Sequence, residues 1–148
     1  KNTFEPAFLK EGIGYFSNDF GDTIAEFQIE LAESNREIQI GMMWRKSMSK
    51  NMGMLFLMPE EKIQSFWMKN TTLPLSIAFI DKNYNITEIR DMEPAGLDSV
   101  RSAKPAQYAL EVNQGWFSKN NIKIGDKVKF SFGRIIRISI QPKVYTEE

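Results

Sequence analysis

Cysteine and histidine are both missing from this chain. Their absence excludes disulfides, thiolate nucleophiles, zinc centres built on either residue and haem held by either. With imidazole gone, the Ser-His-Asp and Cys-His routes of nucleophilic catalysis are closed. An excess of charge of one sign is missing too. Nineteen basic residues balance nineteen acidic ones, so net charge offers no footprint for nucleic acid or an anionic membrane. No apolar run reaches the ~18–20 residues of a membrane-spanning helix. The lack of cysteine fits either redox compartment, because a chain of this size needs no disulfide in either. The chain opens at Lys1 rather than Met, which is compatible with a leader cleaved on export or with trimming.

What is present is the material of one globular domain. The 148 residues are 42% hydrophobic and 12% aromatic, and a chain of this length buries roughly 70% of the surface its unfolded form exposes. Residues 1–23 carry Phe4, Phe8, Tyr15, Phe16 and Phe20 between glycines without periodicity. They read as an extended arm that lays aromatics onto the domain. From Ile24 to Leu31 alternation is clean, with Ala25, Phe27, Ile29 and Leu31 on one face of a half-buried strand. Ser34-Asn35-Arg36-Glu37 fits a capping box, and the short helix it opens should end near Gly41.

The densest apolar stretch runs from Gly53 to Asp81. It reads as three neighbouring strands, with a turn at Pro59-Glu60-Glu61-Lys62 and a polar break at Lys69-Asn70-Thr71-Thr72. Asp81 to Asn85 turns into a hairpin strand from Ile86 to Asp91, and residues 92–107 form a long loop. Tyr108–Val112 is another strand, after which Asn113 is placed to cap a short helix running to about Asn120. Val128, Phe130 and Phe132 alternate in one strand after the Gly125-Asp126 turn, and Ile136, Ile138 and Ile140 alternate in the last. The expected fold is mainly β, a single-domain two-sheet sandwich or open barrel of about eight strands with two short helices. The expected layout is an arm over residues 1–23, a β domain over 24–140 and a polar tail over 141–148.

Several short runs occur together and in order. They are Gly41-Met42-Met43-Trp44-Arg45, Gly53-Met54-Leu55-Phe56, Phe66-Trp67-Met68-Lys69-Asn70-Thr71, Tyr108-Ala109-Leu110-Glu111-Val112-Asn113 and Gly125-Asp126. In these the chain resembles the domain of unknown function 192 family, also called uncharacterised protein family 0127. Its members are small β-rich domains often found behind a leader in bacterial exported proteins. The resemblance covers about residues 24–132, and it implies a periplasmic or cell-envelope location without implying a reaction. Where the family usually carries Asp after Pro74-Leu75, this chain has Ser76.

The polar break in the central stretch supplies the candidate site. By strand parity Phe66, Met68 and Asn70 share one face, while Trp67 and Lys69 share the other as an aromatic-plus-cation pair. Burial on both faces would instead leave Trp67 in a second core, with the Lys69 stem running past it. Asn70 either closes a turn or presents its amide to a ligand. Arg45 is either a bidentate clamp for an anion or the partner of a strand carboxylate such as Glu111. Glu111, opposite in parity to Tyr108, Leu110 and Val112, has a solvated face as its default place, with pairing to Arg45 or Lys69 as the alternative. The methionines between Met42 and Met68 read as adaptable core filling rather than a copper site.

The candidate ligand-binding set is therefore Arg45, Trp67, Lys69, Asn70, Thr71, Glu111 and Asn113. No catalytic residue is assigned, and no metal or cofactor is expected. The leading expectation is a non-catalytic binding or accessory domain for a small polar or anionic ligand or a glycan. The alternatives are a structural or protein-interaction module, and a glycan hydrolase using paired carboxylates among Glu88, Asp91, Glu93, Asp98 and Glu111.

Overall fold

The computed structural model describes residues 10–132. Its elements run β1 (Glu11–Ser17), β2 (Thr23–Ala32), α1 (Asn35–Ile40), β3 (Met52–Lys62), β4 (Ser65–Phe66), β5 (Leu75–Ile80), β6 (Ile86–Met92), β7 (Val100–Arg101), β8 (Ala106–Asn113), α2 (Trp116–Lys119) and β9 (Lys127–Ser131). Seven strands form one sheet in the order β6-β5-β8-β3-β2-β1-β9, and β4 pairs with β7 in a small second sheet. All pairings are antiparallel except β2 with β3. A parallel pair cannot be closed by a tight turn, so the chain crosses over one face of the sheet between them. The crossover holds α1.

The large sheet curls. Strands from its two ends share one apolar cluster, in which Phe16, Val128 and Phe130 sit with Ala78, Ile80 and Ile86. At one corner Asn85 bridges Lys127, while Ile86 N donates to Asp126 O at 2.9 Å and Val128 N to Tyr84 O at 3.0 Å. Among the described residues the curl is open elsewhere, so their strands form no closed barrel. Phe16, Phe27, Trp116 and Phe117 form the aromatic heart of this inner face, with ring centroids 4.9–6.1 Å apart. Burial of each such ring contributes roughly 1.5–3 kcal/mol.

The outer face of the central strands is apolar as well. Met54, Phe56, Ile77, Phe79 and Ala109 are buried there under α1, the segment after it and the residues around β4. Every residue of β5 is buried, which explains why Leu75–Ile80 reads as an unbroken apolar run rather than an alternating one.

Several expectations hold in detail. Ser34 and Glu37 form the reciprocal capping box, and Gly41 ends α1 at φ 49°. The Ile86–Met92 strand follows β5 as a hairpin. Others differ. The described part of the supposed arm contains β1, a full strand between β2 and β9. Pro59 does not turn the chain: β3 continues through it to Lys62, with an irregular register between Leu57 and Lys62. An irregular stretch is where a strand tolerates a residue without an N–H. The three central strands are not mutual neighbours, since β8 lies between β3 and β5 while β4 leaves the sheet to pair with β7. α2 is capped by Gly115 with no side-chain hydrogen bond, so Asn113 does not cap it. The Ile136–Ile140 alternation, the tail and residues 1–9 lie outside the described residues.

Candidate functional site

Register places one row of side chains across the outer face. Glu30 on β2 stands opposite Met54 on β3, Met54 opposite Glu111 on β8, and Glu111 opposite Ile77 on β5. Two strand spacings separate the glutamates, roughly 10 Å. Glu30 is engaged by Arg45, whose two terminal nitrogens donate to the two carboxylate oxygens at 3.0 and 2.7 Å. Arg45 is only 8% exposed. This bidentate pair ties the end of the crossover to β2, and Glu30, not Glu111, is the strand carboxylate that Arg45 meets.

Glu111 has no such partner. It is 4% exposed, and no hydrogen bond or ion pair reaches its carboxyl group among the described residues. Burial alone pushes the carboxyl up from the usual 4.5 to about 8, because a low-dielectric surrounding disfavours the charged form. The solvated face expected for Glu111 is in fact roofed by the crossover and the β4 region.

Under that roof is a cavity of about 160 Å³. Its walls come from Ile38 on α1, Met42 after it, Phe56 and Met58 on β3, and Phe66 and Met68 around β4. Glu111 lines it together with Thr71, and Trp67 stands at its rim, 44% exposed. A cavity of about 150 Å³ accommodates a benzene-sized molecule, so the space here suits a ligand of about five to seven non-hydrogen atoms. No other carboxyl and no cationic side chain lines it among the described residues.

The parity read for Phe66–Lys69 is observed, although only Ser65 and Phe66 are strand, and Asn70 departs from it because it is exposed in a turn. Phe66 and Met68 are buried, while Trp67 is half-exposed and Lys69 Nζ lies 5.2 Å from its ring centroid. Residues 68–71 then form a turn, with Thr71 N donating to Met68 O at 3.0 Å. Asn70 sits in it at φ 55°, a left-handed conformation that Asn accepts more readily than other non-glycine residues. Its carbonyl accepts from Trp44 N at 2.7 Å. That bond joins the two segments flanking the cavity mouth. Thr71 is buried and donates its hydroxyl to Lys69 O at 3.0 Å.

Of the seven candidates, then, Trp67, Thr71 and Glu111 line one cavity, and Lys69 braces its rim. Arg45 is taken up by Glu30. Asn70 serves the turn through its backbone, and Asn113 donates to the carbonyls of Met48 and Ser49 at 3.0 and 3.3 Å, holding the crossover loop. Ser76, at the usual Asp position, donates to Asp91 at 2.8 Å and accepts from Gly115 N at 3.2 Å. It stands in register with Val112 on the inner-face side of β5, on the opposite face from Glu111. The apolar wall residues were not among the candidates. Their signal was the alternation of Met54, Phe56 and Met58 along β3, which marks a second covered face.

Comparison with known proteins agrees with this architecture. A family model, DUF192, described as Uncharacterized ACR, matches residues 17–130. A structure named as a "putative transcription regulator" from Sinorhizobium meliloti 1021 is similar at 28% identity, covering 84% of this chain and 97% of that one, with a TM-score of 0.79. A protein of unknown function from Novosphingobium aromaticivorans is similar at 30% identity over 82% of this chain and 84% of its own, with a TM-score of 0.72. No curated relative matches the sequence.

Proposed function

The chain belongs to the DUF192 family, and we propose that it acts as a non-catalytic binding domain of the cell envelope, taking a small ligand into the cavity above Glu111. One observation carries this reading: a buried carboxyl group with no hydrogen-bond or ion-pair partner among the described residues, at the wall of a cavity that no cationic side chain among them lines. Leaving a buried carboxyl unsatisfied costs stability. A ligand that hydrogen-bonds it while filling the apolar space removes that cost.

A structural or interaction module explains some of the same residues, because Asn113 and the Arg45–Glu30 pair serve the fold alone. It gives no account of Glu111. Glycan hydrolysis by paired carboxylates has less support. Asp91 accepts from Ser76, and Glu88 is held by Ala103 N at 2.9 Å and by Arg90 at 3.1 Å. The envelope location rests on the family resemblance, and fractionation of the producing cells is its measurement.

The binding reading is tested with n-butylammonium, n-butanol and butyrate as probes, followed by amide chemical-shift mapping. At least one probe is expected to give saturable shifts confined to Ile38–Met43, Phe66–Thr71 and the neighbours of Glu111. Met58→Trp, which fills the cavity from β3, should abolish them. No saturable shift with any probe, or the same shifts in Met58→Trp, contradicts the reading.

A further inference from the structure

Resting on that cavity as a binding site, we infer that its ligand is a small organic monocation, an alkylammonium whose N–H groups meet the Glu111 carboxylate while its hydrocarbon part fills the apolar walls. The walls decide between the three charge classes. An anion would bring a second negative or desolvated acidic group against Glu111, with no cation among the described residues lining the cavity to compensate. The cationic side chains on the elements packed around Glu111 are engaged or outside. Arg45 is held by Glu30 across Met54, Lys69 lies over Trp67, and Arg36 of α1 is exposed. A neutral ligand would make ordinary hydrogen bonds with the protonated carboxyl. An ammonium makes charge-assisted ones, which are about twice as strong.

The aromatic rings of the lining favour a cation as well. Phe56 and Phe66 meet edge to face with centroids 5.1 Å apart, and Trp67 stands beside them at the rim. Aromatic faces attract an ammonium group electrostatically, and more strongly when it is desolvated. Thr71 Oγ1 donates its only proton to Lys69 O, so its lone pairs are left to accept from a ligand N–H.

The step is a proton exchange. Glu111–COOH and R–NH₃⁺ give Glu111–COO⁻ paired with R–NH₃⁺ in the cavity, and one proton leaves to solvent. The cavity contents thus hold no net charge before or after binding, which limits the cost of placing ions in a low-dielectric space. Since the Glu111 carboxyl titrates at about 8, the affinity for the cation should rise about tenfold per pH unit below that value and level off above it.

The test is calorimetry of n-butylammonium, n-butanol and butyrate near pH 6 and near pH 8.5, in buffers of different ionisation enthalpy. The expected result is about one proton released per n-butylammonium bound near pH 6, and a preference for the cation over n-butanol of at least about tenfold near pH 8.5. Butyrate should be the weakest of the three. Glu111→Gln should bind the cation no better than n-butanol, while Glu111→Asp, which keeps a carboxyl group, should retain part of the preference. Equal affinity for cation and alcohol without proton release overturns the inference but leaves the binding reading standing. A cation preference that persists in Glu111→Gln overturns it too. Binding of none of the three probes overturns both.

Discussion

Two glutamates flank Met54 on the outer face, and Glu30 has a guanidinium where Glu111 has a cavity that no cationic side chain among the described residues lines. Each therefore responds differently to change. For Glu111 the folded state holds its proton up to about pH 8, whereas the unfolded chain gives it up near 4.5. Between those values the unfolded state binds fewer protons, so stability falls as pH rises. The full loss, reached above about 8, is roughly 3–5 kcal/mol. Denaturant unfolding of Glu111→Gln should remove this pH 5–8 slope and leave the variant more stable than the parent at pH 8. Glu30 responds instead to the loss of its partner. Arg45→Ala leaves a partly buried carboxylate without its guanidinium and should cost about 1–3 kcal/mol, read in the same unfolding series, with Glu30→Gln in a double-mutant cycle showing coupling between the two. The parity of Glu111 was legible from Tyr108, Leu110 and Val112, but its burial was not. Period two says which residues share a face, and only the crossover and the β4 region, distant in sequence, decide whether that face is wet.

At the scale of elements, local signals were readable wherever the deciding atoms are near in sequence. The Ser34–Glu37 capping box is such a case. Ser34→Ala should cost about 1 kcal/mol, and because α1 supplies a cavity wall, exchange of the α1 amides should speed up more than that of β8. The turn at Asn70 is another. If its left-handed backbone is what the position requires, Asn70→Gly should preserve both stability and probe binding, whereas Asn70→Val should lose about 1–2 kcal/mol; thermal melts with shift mapping separate the two. Strand order was out of reach. Nothing in the apolar run from Gly53 to Asp81 says that Tyr108–Val112 inserts between its first and third strands, because that pairing is set by long-range packing. Pro59 misled for a related reason, since a missing N–H ends a strand only where a neighbour needs it.

For the whole molecule, the parallel β2–β3 pair forces a crossover, the crossover covers the outer face, and the covered face holds the cavity. A curled sheet with apolar residues on both sides of its centre should open last at β3, β5 and β8, and first at β6 and β9, the edge strands among the described residues. Native-state hydrogen exchange would show that order. Mainly-β character and the presence of two short helices were legible from alternation and the Ser34 cap, whereas β1 and β7 fell in stretches without a clear period. The second core was not, since it exists only once the crossover has folded back.

Carboxyl-carbon NMR of protein labelled at glutamate tests the unpartnered state of Glu111 most directly. One resonance, absent from Glu111→Gln, should titrate with a midpoint near 8 and should move on saturation with n-butylammonium. A midpoint in the ordinary glutamate range would mean that water or a neighbouring group satisfies the carboxylate, and the cavity would then hold no unmet acid for a ligand to recognise.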